Sequence, residues 1–208
     1  GLWTEKDDDK MRFLPDHIDY FKTELFLAVY NPQKVKQLRS YLLTAEKELD
    51  GLFERRYAYD HVTAHGTANF ARWLYVITHS TFYDDKQFTW SFGNPNSVLN
   101  YYFSRIISEK KMRELARTTP WSTIWHSSRD MTIFPCPLNL DQQRLICWSK
   151  FYDSISEAYN RPISKVVEDD DMLDGWLILE KRKREEEDRK KFNEEKFGTA
   201  KGDEVFIV

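Results

Sequence analysis

The sequence EDDDMLDGWLIL, residues 168–179, runs directly into EKRKREEEDRKK, residues 180–191. Its acidic start, Glu168–Asp171, suits the N-terminus of a helix because the helix dipole places partial positive charge there. An apolar face follows: Met172, Leu173, Trp176 and Leu177. The second stretch has no apolar residue, but Glu precedes Lys or Arg by four positions repeatedly, and each such pair is worth about 0.2–0.5 kcal/mol on a helix. We therefore predict a C-terminal helix whose second half persists without packing.

Apolar residues at alternating three- and four-residue steps predict two helices near the N-terminus. We expect the first to open at Pro15-Asp16 with Asp16 as its N-cap, and the second to open at Asn31-Pro32. Charged residues lie opposite the second stripe, so we predict an antiparallel hairpin of two helices. The first stripe is Ile18, Phe21, Leu25 and Val29, and the second is Val35, Leu38, Leu42, Ala45, Leu49 and Leu52.

The middle of the chain predicts shorter, aromatic elements. We expect a helix with Thr67 as its N-cap, carrying Phe70 and Trp73 and buried on most of its circumference. The alternating residues within Phe82–Asn96 predict an extended segment with at most one hairpin.

Two further helices are predicted beyond Asn96. The first is capped by Asn96 or Ser97, continues past Leu115 and ends at Thr119-Pro120. An irregular connector, Trp121–Pro137, follows it. The second is capped by Asp141 and is expected to be the central helix of the core, with the stripe Leu145, Trp148, Tyr152, Ile155 and Tyr159.

The composition favours a mostly α-helical fold with irregular, aromatic-rich connectors. Aromatic residues make up 15% of the 208 residues, which argues against disorder, and seven Gly are few for a fold of many strands and turns. We predict an N-terminal extension (1–11), a helical domain (12–166), a long, polar C-terminal helical arm (167–197) and a C-terminal tail (198–208).

The charge balance disfavours several functions. The 31 Lys and Arg against 34 Asp and Glu give a net charge of −3, so the chain has no basic excess for binding nucleic acid. Two Cys in a chain of this length indicate a reducing compartment. The sequence contains neither an apolar run long enough to cross a membrane nor the pattern of a signal peptide, so we expect no membrane partner.

The histidine pair His61 and His65 has the H-x-x-x-H spacing that places two zinc ligands on one helix face. The residue after His61 is Val62, not the Glu of a metalloprotease, and no third ligand stands at a diagnostic spacing. Cys147 with His126 is formally a Cys–His pair, but a buried structural thiol is the better interpretation. The acidic run Glu168–Asp171 lacks the ligand order of a calcium loop. We therefore predict no catalytic residue, no metal and no cofactor, and we expect that the chain is not an enzyme.

Contact with other proteins is the function that the sequence favours. The polar arm ends in an apolar tip suited to a neighbour's groove or sheet edge, and surplus aromatic side chains are common at interfaces. The predicted partner-binding residues are Trp176, Phe192, Phe197, Val205, Phe206 and Ile207.

Three blocks in the last third of the chain, Trp148–Asp153, Arg161-Pro162 and Asp169–Trp176 ahead of a charged helix, resemble the C-terminal part of virion or morphogenesis proteins of large tailed bacteriophages. The resemblance implies a structural or assembly role in a phage head, neck or tail, through contacts with other proteins of the same particle in a multi-copy assembly. The expected location is the virion, or the host cytoplasm during assembly.

Two alternatives remain open at the level of sequence. One is a phage-encoded cytoplasmic regulator or accessory factor that binds a host protein or nucleic acid. The other is a helical metalloenzyme centred on His61 and His65.

Overall fold

The structure is a computed structural model, and it describes residues 3–83, 85–87, 95–128, 132–133 and 136–197. The fold is mostly α-helical, as the composition predicted. Its α-helices are α1 (Glu5–Leu27), α2 (Pro32–Tyr57), α3 (Ala64–Ser80), α4 (Pro95–Ser104), α5 (Glu109–Arg117), α6 (Leu140–Glu157), α7 (Ser164–Val167) and α8 (Asp170–Phe197).

Extended structure among the described residues is confined to two short antiparallel pairs. Strands β1 (Phe82–Tyr83) and β2 (Lys86–Gln87) pair with Phe82 opposite Gln87, around a turn in which Asp85 has a φ of 62°. Asp tolerates this left-handed conformation better than most residues do. Strands β3 (Thr132–Ile133) and β4 (Cys136–Pro137) form the second pair. One short hairpin thus lies within Phe82–Asn96, which the sequence analysis allowed, while the alternating residues 88–92 on which the extended segment was predicted lie outside the described residues.

The chain divides into two compact units, and the division differs from the predicted bounds of 12–166 and 167–197. The first unit contains residues 3–7 and 50–161, and the second contains residues 8–49 and the chain from 162 onward. The difference arises because the apolar face at the start of α8 packs among the residues of its own unit rather than opening an arm. The predicted tail, residues 198–208, lies outside the described residues.

Helix α1 begins earlier than predicted, and the expected N-cap Asp16 is wrong. The helix starts at Glu5 and carries Pro15 in its interior. The carboxylate of Asp7 accepts hydrogen bonds from the backbone N–H and the hydroxyl of Thr4, at 3.0 and 2.7 Å. This bond from the third helical residue back to the residue before the helix is half of a capping box, which fixes the helix start ahead of the apolar stripe.

In the second unit, α1 and α2 form the predicted antiparallel hairpin. Ion pairs join Lys34 to Glu24 near the turn and Lys10 to Glu48 near the far end. The side chain of Asn31 accepts a bond from the backbone N–H of Lys34 at 3.1 Å, so the predicted cap is confirmed. The side chains that the two helices bury are Leu14, Leu25, Leu38, Leu42 and Ala45, with Leu52 of α2 buried in the first unit.

Helix α8 completes the core of the second unit. Asp169 accepts a hydrogen bond from the backbone N–H of Met172 at 3.1 Å, so the acidic run caps the helix as predicted. Met172, Leu173 and Trp176 are buried. Gly175 lies against the backbone of Lys22, and a methyl group at that position would overlap the Lys22 carbonyl. The two helices can approach this closely only because α8 has no side chain there.

Charged side chains hold the same three helices together. Lys22 of α1 pairs with Asp174 at 2.8 Å, and Arg39 of α2 pairs with Asp169 and Asp171. Burial alone lowers the pKa of Lys22, but the hydrogen bond to Asp174 and the charges of Asp174 and Asp171 outweigh it and raise the pKa. Burial raises the pKa of Asp171 above its ordinary value, despite the nearby Lys22. The cluster is therefore partly removed from water.

In the first unit, α6 packs against α5 and a 3₁₀ segment, Trp121–Ser127. Leu145, Tyr152 and Ile155 are buried on α6, as the stripe predicted, while Trp148 is half-buried. Three expectations for this helix are wrong. Asn139 caps it in a capping box with Gln142, so Asp141 is not the cap, Tyr159 lies beyond the end of the helix and is exposed, and Cys147 is exposed rather than buried.

The remaining helices of the first unit also differ from their predictions. Thr63, not Thr67, caps α3, and its hydroxyl accepts a bond from the N–H of Gly66 at 3.0 Å. The predicted continuous helix to Leu115 is two helices, because Ser108 opens α5 as a new N-cap. Its end before Thr119-Pro120 is confirmed.

We expect Gly175→Ala to destabilise the second unit by about 3 kcal/mol or more, because the added methyl group must displace backbone at the α1–α8 contact. The matched control is Gly51→Ala, since Gly51 lies inside α2 with nothing near the position of the added atom. That change should stabilise the protein by about 0.5–1 kcal/mol. Denaturant unfolding followed by circular dichroism measures both, and equal effects would contradict the close contact.

We expect the Lys22–Asp174 pair to contribute about 1 kcal/mol at neutral pH in a double-mutant cycle of Lys22→Met and Asp174→Asn. The pKa of Lys22 is raised in the folded state, so its contribution is complete below the ordinary value of 10.5. It is lost as the pH rises through the folded-state pKa. The difference in unfolding free energy between wild type and Lys22→Met should therefore narrow above that pH, and a difference that does not change with pH would refute the assignment.

Candidate protein-contact surfaces

The α3–α4 aromatic face, which we define as Phe70, Trp73 and Phe103, is an exposed apolar surface of the first unit. These side chains retain 46%, 42% and 46% of their exposure. Phe70 and Trp73 are three residues apart on one face of α3, and the Trp73 ring meets the Phe103 ring edge-on at 5.6 Å between centroids. Edge-to-face packing of this kind holds aromatic rings in a defined orientation. The rings are thus fixed on the surface.

The sequence predicted the opposite for α3, a helix buried on most of its circumference. Only Gly66 and Ile77 of this helix are buried. The helical spacing of Phe70, Trp73 and Ile77 identifies which side is apolar, but it contains no information on whether another element covers that side. The apolar side of α3 is therefore predictable from the sequence, but its exposure is not.

The exposed helix segment, which we define as Lys181–Glu194 of α8, is the second candidate surface. Every side chain along it is exposed, and Phe192, its one apolar residue, retains 53% of its exposure. Ion pairs on the helix surface include Lys183 with Glu180 at 2.9 Å and Lys181 with Glu185 at 3.8 Å. A helix held by such pairs persists without packing, as the sequence predicted.

The structure separates the predicted partner-binding residues into three groups. Trp176 is buried in the second unit, at 8% exposure, and is therefore not a surface contact residue in this conformation. Phe192 is exposed. The side chain of Phe197 and the whole of Val205, Phe206 and Ile207 lie outside the described residues, so their predicted roles stay predictions.

His61 and His65 do not share a helix face. His61 belongs to a 3₁₀ turn, Asp60–Val62, and α3 begins only at Ala64, after the cap Thr63. The Nε2 atom of His65 lies 2.9 Å from the side-chain amide nitrogen of Asn69. Within the described residues, no group of three or more His, Cys, Asp or Glu side chains is arranged to hold a metal ion. The H-x-x-x-H interpretation therefore loses its geometric basis.

Two of the basic residues of α5, Arg113 and Arg117, contact aromatic side chains of α6 in their own unit, whereas Lys110 and Lys111 are exposed. Arg113 is buried at 5% exposure, its Nε donates to the Tyr152 hydroxyl at 3.1 Å, and its guanidinium lies over the Trp148 ring at 4.8 Å. Arg117 donates to the same hydroxyl at 3.2 Å. These two cations bind aromatic rings of α6 instead of offering charge to an external phosphate. This cluster is not apparent from the sequence, because the spacing of Arg residues along α5 does not show which aromatic rings of α6 they contact.

No helix in the described part of the chain combines the length and the apolar character needed to span a membrane. Comparison of the chain with models of protein families, with curated proteins and with solved structures finds no match.

We expect Trp176→Ala to destabilise the protein by about 3–5 kcal/mol, because it removes a buried ring, whereas Trp73→Ala should cost about 1 kcal/mol or less. Unfolding followed by far-ultraviolet circular dichroism avoids relying on the fluorescence of the residues removed. Comparable losses in the two variants would mean that the α3–α4 aromatic face is covered in solution.

Proposed function

We propose that this protein is a structural or assembly component of a tailed-phage particle, acting in the head, neck or tail through contacts with other proteins. The exposed α3–α4 aromatic face carries the proposal, and the resemblance of the C-terminal blocks to phage virion proteins supplies the setting. Monomeric proteins seldom leave clustered aromatic side chains on the surface without a binding role.

The chemistry of this face suits a protein partner. Trp and Phe contribute large contact area with few rotatable bonds, and residues of this kind dominate binding energy at protein interfaces. The Trp73 ring is already held by Phe103, so little side-chain entropy remains to be lost on binding. A partner that covers the face gains the energy of burying three half-exposed rings.

The exposed helix segment supports the same proposal from the second unit. A component of a multi-copy particle must contact more than one neighbouring protein. A second contact surface on each copy, separate from the α3–α4 aromatic face, makes such contacts possible. The segment supplies a contact surface whose removal takes little from the buried core, because Lys181–Glu194 is exposed throughout.

The alternative of a cytoplasmic regulator uses the same face for a host protein. Its nucleic-acid form is less well supported, because the contacts of Arg113 and Arg117 with Tyr152 occupy part of the α5 basic run. Nucleic-acid binding also depends on a basic excess, and the net charge of the chain is −3.

The proposal predicts that the chain is present in purified particles at a fixed copy number, as measured by quantitative mass spectrometry. A Phe70→Ser, Trp73→Ser variant should remain folded by circular dichroism but should be incorporated at least about tenfold less, because its contact rings are lost. Tyr159→Ser is the matched control, since Tyr159 is fully exposed and lies outside the face. Absence of the wild-type chain from the particles, with retention on a host protein instead, would favour the regulator.

A further inference from the structure

The charges of the exposed helix segment are arranged in blocks. Four basic residues, Lys181–Arg184, are followed by four acidic residues, Glu185–Asp188, and all eight side chains are exposed. Arg189 follows the acidic block, and Glu180 precedes the basic one.

This pattern reverses sign about its own midpoint, which lies between Arg184 and Glu185. Each residue has the opposite charge to the residue at the same distance on the other side of that midpoint. The opposed pairs are Arg184 with Glu185, Lys183 with Glu186, Arg182 with Glu187, Lys181 with Asp188, and Glu180 with Arg189.

Two identical helices related by a two-fold axis perpendicular to them run antiparallel and place such opposed positions at the same level along the pair. If the axis passes the midpoint between Arg184 and Glu185, the charges on the facing side of the helix meet opposite charges on the second copy, namely Lys181 with Asp188 and Arg184 with Glu185. A parallel pair in register would place like charges together. The segment is therefore complementary to itself in one orientation.

Apolar side chains stand at both ends of this pairing. Leu177 and Phe192 are equidistant from the midpoint, so each opposes the other on the second copy. Steps of three and four residues place Leu177, Lys181, Arg184, Asp188 and Phe192 on one face of α8. Leu177 is half-buried and Phe192 is 53% exposed, so both retain apolar surface that pairing would cover.

We propose that α8 binds a second copy of this chain, with the two exposed helix segments antiparallel about the midpoint of Arg184 and Glu185. This pairing rests on the proposed function, because both assign α8 a role in contacts between proteins. It names the partner as an identical chain and fixes the register.

Opposite charges four residues apart also stabilise a single helix, and the same blocks provide them. One rearranged variant separates the two effects. It exchanges charges so that residues 181–188 read basic, basic, acidic, acidic, acidic, acidic, basic, basic. The net charge and every i, i+4 opposite pair within residues 181–188 are retained, while each opposed pair within the eight becomes a like-charged pair. The ion pair of Lys183 with Glu180 is lost, which is why helix content is measured beside dimerisation. The changes are Lys183→Glu, Arg184→Glu, Glu187→Lys and Asp188→Lys.

Sedimentation equilibrium of the full-length wild type at low salt should show a monomer–dimer equilibrium that weakens as salt is added. The rearranged variant should dimerise at least about tenfold more weakly, with unchanged helix content by circular dichroism. A monomeric wild type at low salt throughout the accessible concentrations would overturn the proposal. Equally tight dimers of the two proteins would overturn it as well.

Disulfide trapping tests the orientation, in a background in which Cys136 and Cys147 are replaced by Ser. Lys181→Cys mixed with Asp188→Cys should cross-link, because the antiparallel register brings these positions together, and either variant alone should not. Cross-linking of Lys181→Cys with itself would indicate a parallel pair and overturn the register. The α3–α4 aromatic face is intact in all these variants, so failure of the pairing is distinguishable from failure of the proposed function.

Discussion

The close approach of α8 to α1 at Gly175 is the constraint on which the second unit depends. The Lys22 carbonyl occupies the space of any larger side chain, so the helices meet backbone against backbone. This contact positions Met172, Leu173 and Trp176 in the core and aligns Asp169, Asp171 and Asp174 with Lys22 and Arg39. A closely packed interior tolerates little change in volume, which is why one missing methyl group has this influence.

The acidic run at the start of α8 combines two roles that are usually assigned separately. Asp169 caps the helix, and the same carboxylate group pairs with Arg39. Placing carboxylates at this partly buried helix start costs free energy, as Asp171 illustrates. Burial raises the pKa of Asp171 even though two cations, Lys22 and Arg39, lie nearby. Partly desolvated ion pairs contribute modest net stability, because removing the charges from water offsets much of their mutual attraction.

The sequence was informative where a local signal determines the outcome. The stripe of α2, its Asn31 cap and the capping role of Asp169 depend on neighbouring residues and were predicted correctly. The start of α1 was missed because the Thr4–Asp7 capping signal stands in a charged stretch without an apolar stripe. Trp176 and Trp73 were each assigned to the wrong environment, since periodicity identifies an apolar side but not what covers it. The charge symmetry of the exposed helix segment can be seen in the sequence. Only the structure shows that the side chains carrying these charges are exposed to solvent and can therefore contact a partner.

The continuity of α8 from Asp170 to Phe197 has a consequence for how this chain can change in length. Each residue of an α-helix advances the direction of its side chains by about 100°. One residue inserted after Leu179 would leave the buried half in place and rotate the charged half by that angle, so that a different side of the helix would face any neighbour. An insertion of about seven residues, close to two turns, would restore the direction. We therefore expect functional length variants of this helix to differ by multiples of about seven residues, because such insertions keep the charged half pointing in the same direction relative to the buried half.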